Sequence, residues 1–306
     1  MKSIILQDSC QNPIHIYVYE PKSKPKGIIH IIHGASEHFA RYGLFAEFLN
    51  QNGFVVIGCD LLGHGLSTDN YKFVHFADKN GDQLVLEGIR LVESVILKDY
   101  PTLPRYILGH SMGSFLARKT IIDRPEFYQK AVISGTTIVS SGLKKVGLLL
   151  TSVIAKVKGP KYVSDLISSL STDANPAKMK KDGLIGDFKE AWLTKDENIQ
   201  NYYHNSEMCG QPFSVKANQD MIRWTQFVDD PKNIAKGNLK MPIYLMSGEL
   251  DPLSNYGKQV VVLYNLMKKI GYQSISYKLY PTDRHEVLNE LDKQTAYQDI
   301  LKFLTK

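Results

Sequence analysis

Residues 109–113 read Gly-His-Ser-Met-Gly, directly after the apolar run Tyr106–Leu108 and directly before a helix-like segment over Ser114–Ile122. A serine set between a strand and a helix in this way sits on a sharp turn, exposed above the strand ends, where its hydroxyl can attack a carbonyl carbon. The flanking glycines suit such a turn, because the serine backbone is strained and side chains beside it would collide with the neighbouring strand and helix. A serine hydroxyl is a poor nucleophile until a base takes its proton. Ser111 therefore calls for a histidine, and for an acid that orients the histidine.

The apolar run Ile243–Met246 is followed by Ser-Gly-Glu-Leu-Asp-Pro. Asp251 is the candidate acid and Glu249 its neighbouring alternative; either could also simply form the turn. Ser274–Tyr280 alternates as a strand before Pro-Thr-Asp-Arg-His-Glu, and His285 is the only histidine beyond Asp251. The serine, acid, histidine order is then complete. Acyl transfer also needs N–H donors aimed at the developing oxyanion, each worth roughly 3–4 kcal/mol. Met112, opening the helix after the serine, offers one backbone N–H. The loop after Ile28–Ile32 reads His-Gly-Ala-Ser-Glu-His and offers that of Ala35 as the second. His33, His38, His64 and His110 fall near the same site and are read as packing or hydrogen-bonding residues, as are Glu37 and Asp60. Glu286 is read as a structural partner of the base.

The elements that must position these residues follow from hydrophobic periodicity. Ile14, Ile16 and Val18 alternate with His15, Tyr17 and Tyr19, the pattern of a half-buried strand, antiparallel to Ile4–Gln7. Later runs are continuously apolar: Ile28–Ile32, Phe54–Gly58, Tyr106–Leu108, Ala131–Ile133 and Ile243–Met246. Such runs suit parallel strands buried on both faces. Helix-like segments over Tyr42–Gln51, Gln83–Lys98 and Ser114–Ile122 alternate with them, which predicts a doubly wound, mostly parallel α/β sheet with an antiparallel N-terminal edge.

The rhythm breaks after Thr136 and resumes near Ile234. Residues 1–136 and 226–306 are expected to form the core and residues 137–225 an inserted helical cap. Leu143, Val146, Leu150, Val153, Ile154 and Val157 share one helical face, and residues 143–161 hold five lysines and no acid. Two readings stand side by side: a lid helix that touches lipid with its apolar face, or an amphipathic helix packed on the core with solvated lysines.

With 306 residues, 43% hydrophobic and 22% charged, the chain can bury a large core. The formal charge of +6 comes without the basic, aromatic-interleaved stripe of a nucleic-acid groove, so no nucleic-acid partner is expected. No signal-peptide core or 18-residue apolar span occurs. Three cysteines without paired spacing fit reduced thiols, hence a cytoplasmic expectation. The nine histidines show no ligand spacing, and neither metal nor cofactor is expected.

His33–His38 with Arg41 and Tyr42, Asp60 with Gly63, His64, Gly65 and Ser67, the pentapeptide around Ser111, Gly248–Asp251, and Arg284, His285 and Glu286 with Leu288, Asn289 and Glu290 together resemble the monoacylglycerol lipase and lysophospholipase branch of the α/β-hydrolases. The resemblance implies an α/β-hydrolase fold with a cap over an acyl pocket. It also implies a soluble or surface-attached esterase that acts without cofactor on single-chain lipids or small esters. The stretch around Cys209–Ser214 resembles bacterial lysophospholipase-like members. In one departure, Ser36 stands where the family loop carries glycine, and serine tolerates positive φ poorly. Two rivals remain: a proline-type aminopeptidase, which needs acidic groups to hold a free amino terminus, and a catalytically silent module that binds a hydrophobic ligand.

Overall fold

The computed structural model describes residues 1–306. The chain runs β1 (Lys2–Gln7), β2 (Pro13–Tyr19), β3 (Gly27–Ile32), α1 (Gly43–Gln51), β4 (Phe54–Cys59), α2 (Gly81–Asp99), β5 (Arg105–His110), α3 (Met112–Asp123) and β6 (Lys130–Ser134). Then follow α4 (Ser141–Lys158), α5 (Asp165–Leu170), α6 (Ala174–Lys181), α7 (Glu197–Asn205), α8 (Val215–Val228) and α9 (Pro231–Ile234). The chain closes with β7 (Ile243–Gly248), α10 (Lys258–Ile270), β8 (Ile275–Tyr280) and α11 (Lys293–Thr305).

The eight strands form one sheet in the order β1-β2-β4-β3-β5-β6-β7-β8. The pairs β1–β2 and β2–β4 are antiparallel and all later pairs parallel, which is the expected mixed sheet with its antiparallel edge at the N-terminal side. The continuous apolar runs bury both faces. In β3, Ile28 and Ile32 enter the core shared with α2, α3, α8 and α10, whereas Ile29 and Ile31 enter the second core under α1 and α11. Because β3, β5, β7 and β8 are parallel, the loops leaving their C-terminal ends converge on one edge of the molecule, where ligands bind in open α/β sheets.

Between β6 and β7 the chain contributes helices and no strand to the sheet. The expected end of the insertion at residue 225 falls inside α8, which packs on α2 and α3 of the core as well as on α4.

α4 does pack, on α8, but not through its apolar stripe. Leu143, Val146, Val153 and Val157 of its apolar face are all more than half exposed, the last at 72%, while Leu150 and Ile154 are partly buried. The side against α8 carries Lys144, Gly147 and Thr151 instead. Lys144 is buried because its Nζ reaches Asp229 at 3.0 Å, and Asp229 also binds Arg118 at 2.9 Å. A paired charge and small residues thus form the docking face, which hydrophobic periodicity alone assigns to the leucines and valines. No helix is long and apolar enough to cross a membrane.

Candidate active site

Ser111 stands between β5 and α3 at φ 52° and ψ −121°, a conformation that costs a non-glycine residue energy and persists only when its surroundings enforce it. They do so by close approach. A Cβ on Gly109 would lie 2.2 Å from the Gly113 carbonyl oxygen, and one on Gly113 would lie 2.2 Å from that of Ile32. The two glycines let α3 start directly against β3 and β5, leaving Ser111 partly exposed in a cavity of about 680 Å³.

Asp251 follows β7 and His285 follows β8; both are buried, and His285 Nδ1 lies 3.1 Å from Asp251 Oδ1. The ring N–H is not squarely aimed at the carboxylate. Asp251 also accepts from Ser247 Oγ at 2.9 Å and from the Leu253 N–H at 2.9 Å. Burial alone would raise its carboxyl, but His285 and these two donors outweigh burial and hold it below the usual range. Burial would likewise lower the His285 imidazole; the charge and contact of Asp251, with Glu286 and Glu37 behind, instead hold it above the ordinary value. His285 lines the same cavity as Ser111. Glu249 is exposed and takes no part in this cluster.

His110 packs against His285 with ring centroids 4.8 Å apart, and burial followed by the charge of His285 lowers it to about 4, so it stays neutral. The backbone N–H of Met112 opens α3 and has no intrahelical acceptor; that of Ala35 binds no other protein group. Both residues line the cavity beside Ser111.

Ser36 does adopt positive φ, at 54°. Its Oγ donates to the Gln211 carbonyl at 2.7 Å and its own carbonyl accepts from the Gly210 N–H at 2.8 Å, so bonds to the insertion hold the serine where glycine would need none. Glu37 secures the same loop by accepting from the Gly34 N–H at 2.6 Å and from Tyr42. Arg41, four residues on, binds Glu37 at 2.5 Å and forks onto both carboxylate oxygens of Glu286 at 2.7 and 2.6 Å. The loop carrying Ala35 and the loop carrying His285 are thereby joined by one buried cation. Nothing in the sequence marks either pair, since Glu37 lies outside any helix.

The segment between β6 and β7 supplies the other wall. Val146, Leu150, Ile167, Leu170 and Ile222 give it apolar side chains, and Asp173, Lys189 and Glu190 polar ones. Trp192, at the end of a 3₁₀ turn over Lys189–Trp192, stacks on His285 with centroids 4.6 Å apart and planes 23° from parallel. Sequence reading missed this residue, which precedes the histidine by a long stretch of chain and lies in no motif. No group of three or more His, Cys, Asp or Glu side chains comes together to hold a metal ion. Cys10, Cys59 and Cys209 are all unpaired.

Comparison with known proteins gives one family match: Hydrolase_4, described as serine aminopeptidase S33, over residues 23–292. A monoacylglycerol lipase of Mycolicibacterium smegmatis is 25% identical over 291 residues, covering 94% of this chain and 91% of that protein. The monoglyceride lipase of Homo sapiens is 24% identical over 279 residues, covering 90% and 81%. Among solved structures, a thermostable carboxyl esterase from Bacillus coagulans superposes with a TM-score of 0.90 at 22% identity, covering 99% of this chain and 97% of that one.

Proposed function

Since the chain belongs to the Hydrolase_4 family of α/β-hydrolases, we propose that it is a serine hydrolase that cleaves the carboxylic ester of single-chain lipids, monoacylglycerols first among them. Ser111 attacks the ester carbonyl as His285 takes its proton. Asp251 orients the imidazole and stabilises the cation that forms. The N–H groups of Ala35 and Met112 receive the oxyanion, His285 returns the proton to the leaving alcohol, and water repeats the attack on the acyl-enzyme.

The observation that carries this reading is a single cavity shared by Ser111 and His285 whose lining combines apolar side chains with polar ones. An acyl chain suits the apolar lining and a hydroxylated headgroup the polar groups. The relatives' names, monoacylglycerol lipase and monoglyceride lipase, point to the same substrate class. An aminopeptidase is disfavoured because the cavity's carboxylates are already matched. Asp173 pairs with Lys189 at 2.6 Å, Glu190 lies 3.2 Å from His204, and Glu37 and Glu286 are both bonded to Arg41, so each of these carboxylates already has a nitrogen partner.

The segment between β6 and α8 is inferred to be the cap, within the expected span 137–225. Its outward apolar residues on α4, joined by Leu166 and Leu170 on α5 and set among lysines, form the surface that would meet a lipid aggregate.

Fatty-acid release from a monoacylglycerol and a lysophosphatidylcholine, measured in parallel, tests the substrate. Release from the monoacylglycerol that Ser111→Ala abolishes is the expected result. Undiminished release by that variant would remove Ser111 from the mechanism, and cleavage of short soluble esters alone would move the substrate away from lipids.

A further inference from the structure

Trp192 belongs to the insertion, yet its indole lies against the imidazole of His285 rather than merely facing the cavity. The segment that carries it is fastened to the histidine loop by bonds that each have a main-chain group at one end at least. The Glu286 N–H donates to the Leu193 carbonyl at 2.7 Å, Thr194 Oγ1 to the Asn289 carbonyl at 3.0 Å, and the Lys195 N–H to Glu290 Oε2 at 3.0 Å. Arg284 Nη1 reaches the carbonyls of Ala191 at 2.5 Å and Thr194 at 3.2 Å. None of these bonds uses the indole, so the stack is separable from the docking.

The imidazole has three other neighbours besides the cavity it shares with Ser111. Asp251 lies at Nδ1, His110 packs at 4.8 Å, and a Cβ on Gly135 would lie 3.0 Å from Cε1. Trp192 stacks on the ring as a further neighbour. A near-parallel indole fixes the plane of the ring, and its electron-rich face favours the imidazolium that forms when Ser111 is deprotonated.

Resting on the Ser111–Asp251–His285 reading above, we infer that Trp192 is a positioning residue for the general base: a side chain lent by the insertion that holds His285 in register with Asp251 and stabilises its protonated form. The insertion then completes the catalytic machinery as well as covering the cavity, and a displaced insertion would leave the base misaligned.

Trp192→Phe keeps an aromatic face, Trp192→Leu keeps bulk and apolarity without one, and Trp192→Ala removes both. The expected result is a kcat lowered roughly tenfold in the Leu and Ala variants with KM nearly unchanged, and largely restored in Phe. A second readout does not depend on turnover. In protein with labelled histidine, the His285 titration midpoint should fall by roughly half a pH unit in Trp192→Leu and recover in Phe. The other charged groups around the ring, Asp251, His110, Glu286 and Glu37 with its partner Arg41, are the same in all variants. A rise in KM alone, with kcat and the His285 midpoint unmoved, would make Trp192 a plain cavity wall and overturn the inference. The His285 titration recorded in a Ser111→Ala background separates the two readings, because it remains interpretable whether or not Ser111 is the nucleophile.

Discussion

At the scale of single residues, the geometry assigns work to groups whose ionisation can be followed. His285 must be neutral to accept a proton, and its surroundings hold it above the ordinary imidazole value of 6.5. The acid limb of kcat/KM is therefore expected to have its midpoint above 6.5, activity falling as pH drops through it, and a steady-state pH profile checks this. The linked effect on stability has the opposite sense. A histidine that binds its proton more tightly in the folded state contributes stability that is full below the unfolded value and lost as pH rises through the folded one. Asp251→Asn should keep the fold and lower kcat by roughly 10³- to 10⁴-fold, since the amide favours the wrong tautomer of His285. Single-turnover kinetics would show it, and a loss below tenfold would transfer the orienting role to another group.

At the scale of elements, α4 departs furthest from its sequence pattern. Its docking onto α8 depends on Lys144, Gly147 and Thr151, which frees the valine stripe for the solvent side. Val153 and Val157 lie outside the cavity lining and are 53% and 72% exposed. The double change Val153→Glu, Val157→Glu should leave turnover of a short soluble ester intact and weaken sedimentation with anionic vesicles at least tenfold. Equal sedimentation of the two proteins would assign the stripe no part in meeting lipid.

At the scale of the whole molecule, the cluster Glu37–Arg41–Glu286 ties the loop after β3 to the loop after β8, and all three side chains are at most 4% exposed. Arg41→Gln leaves two buried carboxylates without their cation and should cost about 3–5 kcal/mol. Urea unfolding reads this as a lower midpoint at unchanged slope. Burial would raise the Glu37 carboxyl, but Arg41 and the neighbouring histidines outweigh it and bring it down to about 2. Its share of stability is thus present above the unfolded value of about 4.5 and is lost as pH falls toward 2.

Local chemistry made much of this protein legible in the sequence. Two-faced burial requires continuous apolar runs, so the parallel strands and their alternation with helices could be read directly. Glycines spaced for close approach announced the turn at Ser111, and chain order pointed to His285 and to Asp251 with Glu249 as its neighbouring alternative. Tertiary structure decided what depends on residues far apart in the chain. The bidentate grip of Arg41 on Glu286, the tether from Ser36 to Gln211 and the stack of Trp192 on His285 each join segments whose spacing carries no periodic signal. The facing of α4 was undetermined for a related reason. A helical hydrophobic stripe states which residues share a side, whereas a buried ion pair between Lys144 and Asp229, 85 residues apart, determined which side the core received.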